Sequence, residues 1–359
     1  MFLTKIQLAH FKNHESLSLS FSKKINCLIG NNGVGKTNIL DAIYYLCLTK
    51  SYFNSVDQQN ILFGKDFMRL AGRFQKPDGA YEIVYKLPLN KRKELLVNEV
   101  GVSKLSEHIG NFPCIIISPD DNQLILGNSD ERRKFLDATI SQINREYLEW
   151  LMVYTKILAQ RNAALKRFAE TRNTDRHLIE TYDNQLIPLG NKIYEARQVV
   201  VQKLQLLFQT FYKELSLARE PVSFSYTSQL HEQPFAQLLK NNFEKDLLLQ
   251  RTDAGIHKDD LDFCISNNKM KKFGSQGQQK SFIISMKFAQ YKLIKQNKLF
   301  MPLLLIDDIF DKLDNDRSRK LIELIAGTEF GQVFLTDTDE LHISETLKKN
   351  ESLFEIIRV

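Results

Sequence analysis

The 359-residue sequence predicts an α/β fold in which a mostly helical lobe interrupts a sheet-containing domain. Three observations carry that prediction. The buried-strand pattern "INCLI" runs into the glycine-rich "GNNGVGKT" and then the apolar, helix-spaced "NILDAIYYLCL", the strand–loop–helix order of an α/β crossover. Near the other end of the chain a second apolar strand, "PLLLI", stops at the adjacent Asp307 and Asp308. Between them, over residues 129 to 216, apolar positions recur at helical spacing almost without a break. The expected segments are therefore 1–127 and 299–359 as two parts of the sheet domain. Residues 128–298 form the helical arm together with a second glycine turn.

Each element has a local cause. Residues 2 to 8 and 17 to 21 alternate apolar and polar like strands, and 25 to 29 read as a buried third. The segments "MRLAGRF", "AYEIVYKLPL" and "ELLVNEV" continue in strand pattern, with a hairpin expected over "LPLNKRKELLV" and a basic tip at its turn. "NFPCIIISPDD" reads as a buried strand leading into a turn. Asn128 followed by Glu131 predicts a capping box at the start of the helical block. A break is expected near "TRNTDR", and Pro188 marks a kink or a new helix start. Strand pattern returns in "PVSFSYTSQL", followed by a hairpin turning at Asn267-Asn268, a helix to about residue 296, and the strands "PLLLIDD" and "QVFLTD" around another helix.

With 43% hydrophobic residues the chain has ample apolar material for two cores. No uninterrupted apolar run reaches the ~18 residues of a membrane span. "MFLTKIQLAHFKN" reads as a first strand, without an apolar leader or cleavage site. A cytoplasmic protein with no membrane partner is the expectation. Cys27, Cys47, Cys114 and Cys264 stand singly in apolar runs, which suits core packing over disulfides or zinc. The scattered histidines offer neither a metal cluster nor a triad. A net charge of +6 is compatible with a polyanionic partner. No Asp or Glu lies between Asp262 and Asp307, where Lys269, Lys271, Lys272, Lys280, Lys287, Lys292, Lys295 and Lys298 all fall, and "NKRK" occupies 90 to 93. These are either solvated surfaces or contacts to DNA phosphates.

"GNNGVGKT" fits the G-x4-G-K-[S/T] phosphate loop in its proper setting. Gly30, Gly33 and Gly35 permit positive φ and close backbone approach. Successive N–H groups of the stretch Gly30, Asn31, Asn32, Gly33, Val34, Gly35, Lys36, Thr37 and Asn38 are then free to encircle phosphate oxygens. The helix N-terminus adds partial positive charge, Lys36 a full one, and the Thr37 hydroxyl a ligand for Mg²⁺. Asp307 is the expected metal-side carboxylate, directly or through water, and Asp308 the group to polarise an attacking water. A guanine-reading NKxD is absent, so ATP with Mg²⁺ is the expected cofactor.

The second glycine turn, "FGSQGQQKS", opens a helix far from the first. Ser275, Gln276, Gly277 and Gln278 match the signature turn of ABC-type ATPases, whose familiar form is Ser-Gly-Gly-Gln. A hydroxyl, a glycine N–H and a helix N-terminus together make an anion-binding constellation. In that class the turn binds the γ-phosphate held by a second subunit, giving a two-fold, ATP-sandwiched dimer. "DKLD" (311–314) looks like the loop that crosses that interface. The motifs "HFKNH", "GNNGVGKTNILDAIYYL", "SPDDNQLILGNSDERRKFLD", "GIHKDDL", "GSQGQQKS" and "LLLIDDIFDKLD" occur in the order of the RecF family, over essentially the whole chain. The sequence thus resembles that family of bacterial repair ATPases, relatives of the SMC proteins. Ser129 stands where the family usually has Pro, and Ile256, His257 and Lys258 where it often has Pro-His-Arg.

The resemblance implies an ABC-type ATPase head with a short helical arm and no long coiled coil. It implies an ATP-dependent homodimer on duplex DNA near gaps or single-strand junctions, also touching single strands. RecR and RecO would be its mediator partners in loading RecA, hydrolysis would release the clamp, and the protein would be nucleoid-associated. Thr336 or Thr338 would take the place of a transporter's switch histidine. Two other readings stand beside this one. A transporter's nucleotide-binding subunit would show that histidine and a shorter helical subdomain. Another SMC-like ATPase would act as a nucleotide-gated scaffold or defence protein with little turnover.

Overall fold

In the computed structural model the described residues are 1–171, 173–216, 220–308, 315–338 and 354–359. They fall into two compact units, one comprising Met1–Asp121, Thr210–Arg219 and Ser275–Val359, the other Asn122–Gln209 and Glu220–Gly274. The helix after the second glycine turn, Gln276–Gln296, thus groups with the phosphate-loop unit, although its position in the sequence suggested the arm. The interface-loop motif 311–314 lies outside the described residues.

The first unit contains a five-stranded parallel sheet in the order Phe354–Arg358, Ile25–Ile29, Val333–Asp337, Leu303–Ile306, Cys114–Ile117. Its central strands are buried along their whole length, which is why they read as unbroken apolar runs. The strand leading to Asp307 is not the immediate neighbour of the phosphate-loop strand, because Val333–Asp337 stands between them. Helix Lys36–Leu48 follows the loop, and every residue from Ile39 to Leu48 is buried. An apolar stripe would need only one packed face, whereas this helix is apolar all round because it is covered on several sides. Its other cover is a six-stranded antiparallel sheet built from Phe2–Phe11, His14–Ser20, Phe67–Lys76 and the strands through Gly101, which shares one hydrophobic core with it. The hairpin Gly79–Pro88/Glu94–Val97 forms as its alternation suggested. Cys27, Cys47 and Cys114 are buried, as core packing requires, whereas Cys264 is only half-buried.

The second unit is built on helices Ser129–Ile143, Arg145–Thr171 and Arg176–Ser216, the last continuing into the first unit from Thr210. Pro188 neither starts nor ends a helix but lies inside the third. Asn128 caps the first helix by accepting from the N–H of Asp130 rather than through Glu131. The hairpin after Ile265 turns one residue earlier than expected. Ser266 and Asn267 both adopt positive φ, so they form the tight turn and Asn268 already pairs in the returning strand.

Two fully buried arginines organise this unit. Arg161 bonds Asp246 and Asp183 at 2.7 Å each and Thr252 at 2.8 Å. Arg197 holds Asp259 at 2.7 Å, Asp137 at 2.9 Å and the Ile256 carbonyl at 2.7 Å. Burial pushes the Asp246 carboxyl upward, and the Arg161 bond opposes it. Arg161→Ala should therefore strand a buried carboxylate and lower stability by about 3–5 kcal/mol, read from urea unfolding. A change below roughly 1 kcal/mol would mean that water replaces the guanidinium without penalty.

Candidate nucleotide site

The phosphate loop lies between Ile29 and Lys36, where a fully buried strand hands over to a helix buried from Ile39 onward. Gly33 and Gly35 take φ values of 85° and 108°, the left-handed region that glycine tolerates without strain. Gly30 is required for a different reason. Its φ is not positive, but an added Cβ would sit 2.7 Å from the Val359 carbonyl oxygen. At Gly35 a Cβ would lie 2.5 Å from the His14 ring and 2.6 Å from the Asn13 amide.

Beside the loop is a cleft of about 190 Å³. It is lined by Asn32, Gly33 and Gly35, by Lys36, Thr37 and Asn38, and by Asp307, Asp308 and Thr336 to Thr338. The structure therefore brings together both aspartates and most of the sequence-predicted loop residues. Gly30, Asn31 and Val34 do not line the cleft. The carbonyls of Gly30 and Asn31 instead accept from the Lys36 ammonium at 2.7 and 2.9 Å. Ser275, Gln276, Gly277 and Gln278 do not line it either.

Asp307 is the hub. Its carboxylate accepts from Thr37 Oγ1 at 2.9 and 3.0 Å and from Thr336 Oγ1 at 2.7 Å. Burial pushes this carboxyl above the usual range, with Asp308 adding to the effect, while the bonds from Thr336 and Thr37 and the Lys36 charge oppose it. The strand itself ends at Ile306, so simple strand alternation does not separate the two aspartates. Asp308 instead turns into the left-handed region at φ 44°, and its N–H donates to Thr336 Oγ1 at 3.0 Å. One threonine thus fixes both acidic residues. Its place after "VFL" was legible in the sequence; its bridging role was not, because only the sheet order sets Thr336 beside Asp307.

The signature turn is built as a pre-formed helix start. Ser275 caps helix Gln276–Gln296, accepting from the Gln278 N–H at 3.3 Å, while Gln278 Oε1 accepts from the Ser275 N–H at 2.7 Å. Ser275 and Gln276 are exposed.

The lysine-rich stretch is less free in space than in sequence. Lys269 pairs with Asp262 at 2.6 Å, Lys287 is buried against Asp121 at 2.6 Å, and Lys292 and Lys295 both meet Glu329. In the "NKRK" tip, Lys93 is 2.7 Å from Asp57. Acidic groups from other segments supply what this stretch lacks.

A family model described as the RecF/RecN/SMC N terminal domain matches residues 2–358. The chain belongs to the RecF family. It is 41% identical over the full length of both chains to the DNA replication and repair protein RecF of Flavobacterium johnsoniae. Against RecF of Cytophaga hutchinsonii it is 43% identical, over 94% of this chain and 89% of that one. Among solved structures it superposes on the recombination mediator protein RecF-ATPrS of the RecFOR pathway with a TM-score of 0.88 and 25% identity, covering 100% and 96% of the two chains. RecF-ATP of the same pathway gives 0.87 and 26% identity, over 94% and 92%. An Smc head domain from Pyrococcus furiosus, at 17% identity and a TM-score of 0.56, shares the fold. The fold of this RecF-family chain is thus an ABC/SMC-type ATPase head with no long coiled coil among the described residues. No helix of the described residues is long and apolar enough to cross a membrane.

Gly35→Ala combines the forbidden φ with contacts to Asn13 and His14 that side chains do not make. It should weaken ADP binding at least about tenfold, because strain of some 1–3 kcal/mol must be relieved by moving the loop. Isothermal calorimetry checks this, and an unchanged affinity would show that the loop conformation does not matter for binding.

Proposed function

We propose that this chain is an ATP-dependent DNA-binding protein of replication and recombinational repair. It binds Mg-ATP at the Thr37–Asp307 cleft and pairs head to tail with a second copy, each Ser275 turn closing on the partner's γ-phosphate. The closed dimer holds duplex DNA near gaps or single-strand junctions. Together with RecR- and RecO-type mediators it promotes loading of a RecA-type recombinase, and hydrolysis opens the dimer. The observation that carries the reading is the Thr37–Asp307 hydrogen bond beside a complete phosphate loop, in a chain that superposes on RecF-ATP.

The residues suit this chemistry. The loop N–H groups and the first turn of helix Lys36–Leu48 supply donors for phosphate oxygens. Lys36, held inside the loop by two carbonyls, supplies the fixed charge. Thr37 Oγ1 and the Asp307 carboxylate are hard oxygen donors of the kind Mg²⁺ takes alongside waters and phosphate oxygens. Among the described residues no group of three or more His, Cys, Asp and Glu forms a metal cage, which fits an ion shared with a nucleotide. When bound, the ion neutralises charge on the transferred phosphoryl group. Asp308, exposed at the cleft and with its N–H bonded to Thr336 Oγ1, is the residue assigned here to orient and polarise water. Its side chain is one methylene shorter than a glutamate, so slow turnover is expected.

The dimer reading is tested by Ser275→Arg. This variant should bind Mg-ATP as the wild type does, because Ser275 is not part of its own cleft. It should fail to dimerise with ATP in light scattering and lose hydrolysis, because the arginine blocks the sandwich. Full ATP-dependent dimerisation and turnover by this variant would end the proposal that the turn reads a partner's nucleotide.

DNA binding should be stimulated by ATP and fall steeply with salt, by at least about tenfold between 50 and 200 mM, as several phosphate contacts imply. Reversing Lys91 and Arg92 together should weaken it without changing ATP affinity. Lys93 is left out because it anchors Asp57. Salt-independent affinity in fluorescence anisotropy would remove the phosphate-contact reading.

A further inference from the structure

The motif "HFKNH" helped to place the chain in its family, yet no part of the proposed mechanism uses it. Phe11 and His14 close a tight hairpin, with Lys12 at φ 51° and Asn13 as its tip. Three consecutive residues of that hairpin grip the phosphate-loop segment from behind. Lys12 Nζ lies 2.6 Å from the buried Asp41 of helix Lys36–Leu48. Asn13 Nδ2 donates to the Val34 carbonyl at 3.1 Å and, more weakly, to that of Gly33 at 3.4 Å. His14 Nε2 lies 3.1 Å from the Gly35 carbonyl.

We infer that Asn13 and His14 are positioning residues for phosphate binding, acting by holding the loop carbonyls on the hairpin side. The inference rests on the reading of the cleft as an ATP site. The physical link is the rigid peptide plane, in which the carbonyl of one residue and the N–H of the next point in opposite directions. Fixing the carbonyls of Gly33, Val34 and Gly35 against the hairpin turns the N–H groups of Val34, Gly35 and Lys36 the other way. A phosphate needs those donors convergent before it arrives, since donors that must reorganise on binding are worth less.

Two further contacts support a clamp over a chance approach. Asn38 Nδ2 donates to Asn13 Oδ1 at 2.7 Å, so the Asn13 oxygen is engaged and its NH₂ is the end that faces the loop carbonyls. The absence of a side chain at Gly35 is what lets both groups come this close. The Gly35 carbonyl also accepts the first helical bond, from the Ile39 N–H at 3.0 Å. His14 therefore acts where loop and helix meet.

The test is calorimetric titration of Mg-ATP into the full chain, with melting of each protein measured without nucleotide. Asn13→Ala and His14→Ala should each lose about five- to tenfold in affinity, as expected when a hydrogen bond that organises donors is removed. His14→Gln keeps a donor at a similar reach and should recover most of that loss, which a merely space-filling histidine would not predict. Nucleotide-free melting should move by less than about 4 °C. The inference is overturned if both alanine variants bind within twofold of wild type. It is equally overturned if His14→Gln is as weak as His14→Ala, or if lost affinity comes only with a larger drop in melting. Asn13 is exposed at a hairpin tip, so its alanine variant keeps the test alive even if a His14 variant does not fold. Failure of the wild-type protein to bind Mg-ATP would sink the ATP-site reading itself, a separate result from unaffected variants of a binding-competent protein.

Discussion

The hydrogen bond between Thr37 and Asp307 joins residues 270 positions apart, and the site exists only if the whole first unit is assembled around it. Strands in a sheet lie about 4.8 Å apart, so one intervening strand puts the phosphate-loop strand and the Asp307 strand roughly 10 Å from each other. That gap is spanned by side chains from two directions. Thr37 reaches across from the first turn of the helix after the loop. Thr336 reaches from the strand between, and its hydroxyl donates to Asp307 while accepting the N–H of Asp308. The acidic pair is thus held by two threonines, and the bonds they make offset the burial that disfavours an ionised Asp307.

This arrangement needs a rigid base, and helix Lys36–Leu48 provides one. Packed on several sides, it has no solvent face on which to roll or fray. Asp41, the carboxylate inside it, is fully buried and satisfied by Lys12, by the Ser51 hydroxyl at 2.6 Å and by the Tyr52 N–H at 2.7 Å. An unpaired carboxylate there would be costly; paired, it fixes the rotation of the helix and the angle at which the loop leaves it. The same hairpin that supplies Lys12 supplies Asn13 and His14, so the back of the loop and the side of the helix are held by one turn.

Charge behaves differently in sequence and in space. The run without acidic residues between Asp262 and Asp307 looks like a continuous basic surface, but Glu329 and Asp121 come from other segments to meet Lys292, Lys295 and Lys287. A lysine count along the chain therefore overstates the free positive surface. The second unit makes the complementary point, since two of its arginines, Arg161 and Arg197, lie wholly inside and serve the fold.

The sequence by itself determined four of the five parallel strands, the phosphate loop, the two aspartates and the start of the signature helix, but not the edge strand Phe354–Arg358. Each rests on a short-range rule: an unbroken apolar run, or glycines at fixed offsets before a helix. Local turn chemistry was legible only to within a residue. Ser266-Asn267 and Asn267-Asn268 are nearly equivalent choices until cross-strand pairing selects one, and Asn128 has two N–H groups within reach. What only the tertiary structure decided was which distant residues meet. Val333–Asp337 enters between the phosphate-loop strand and the Asp307 strand, Thr336 becomes the bridge between aspartates, and a hairpin near the N-terminus becomes the backing of a loop twenty residues later. Such contacts depend on strand order and on the volume that glycine leaves open at Gly35. Both are properties of the packed sheet and are written in no contiguous stretch of the chain.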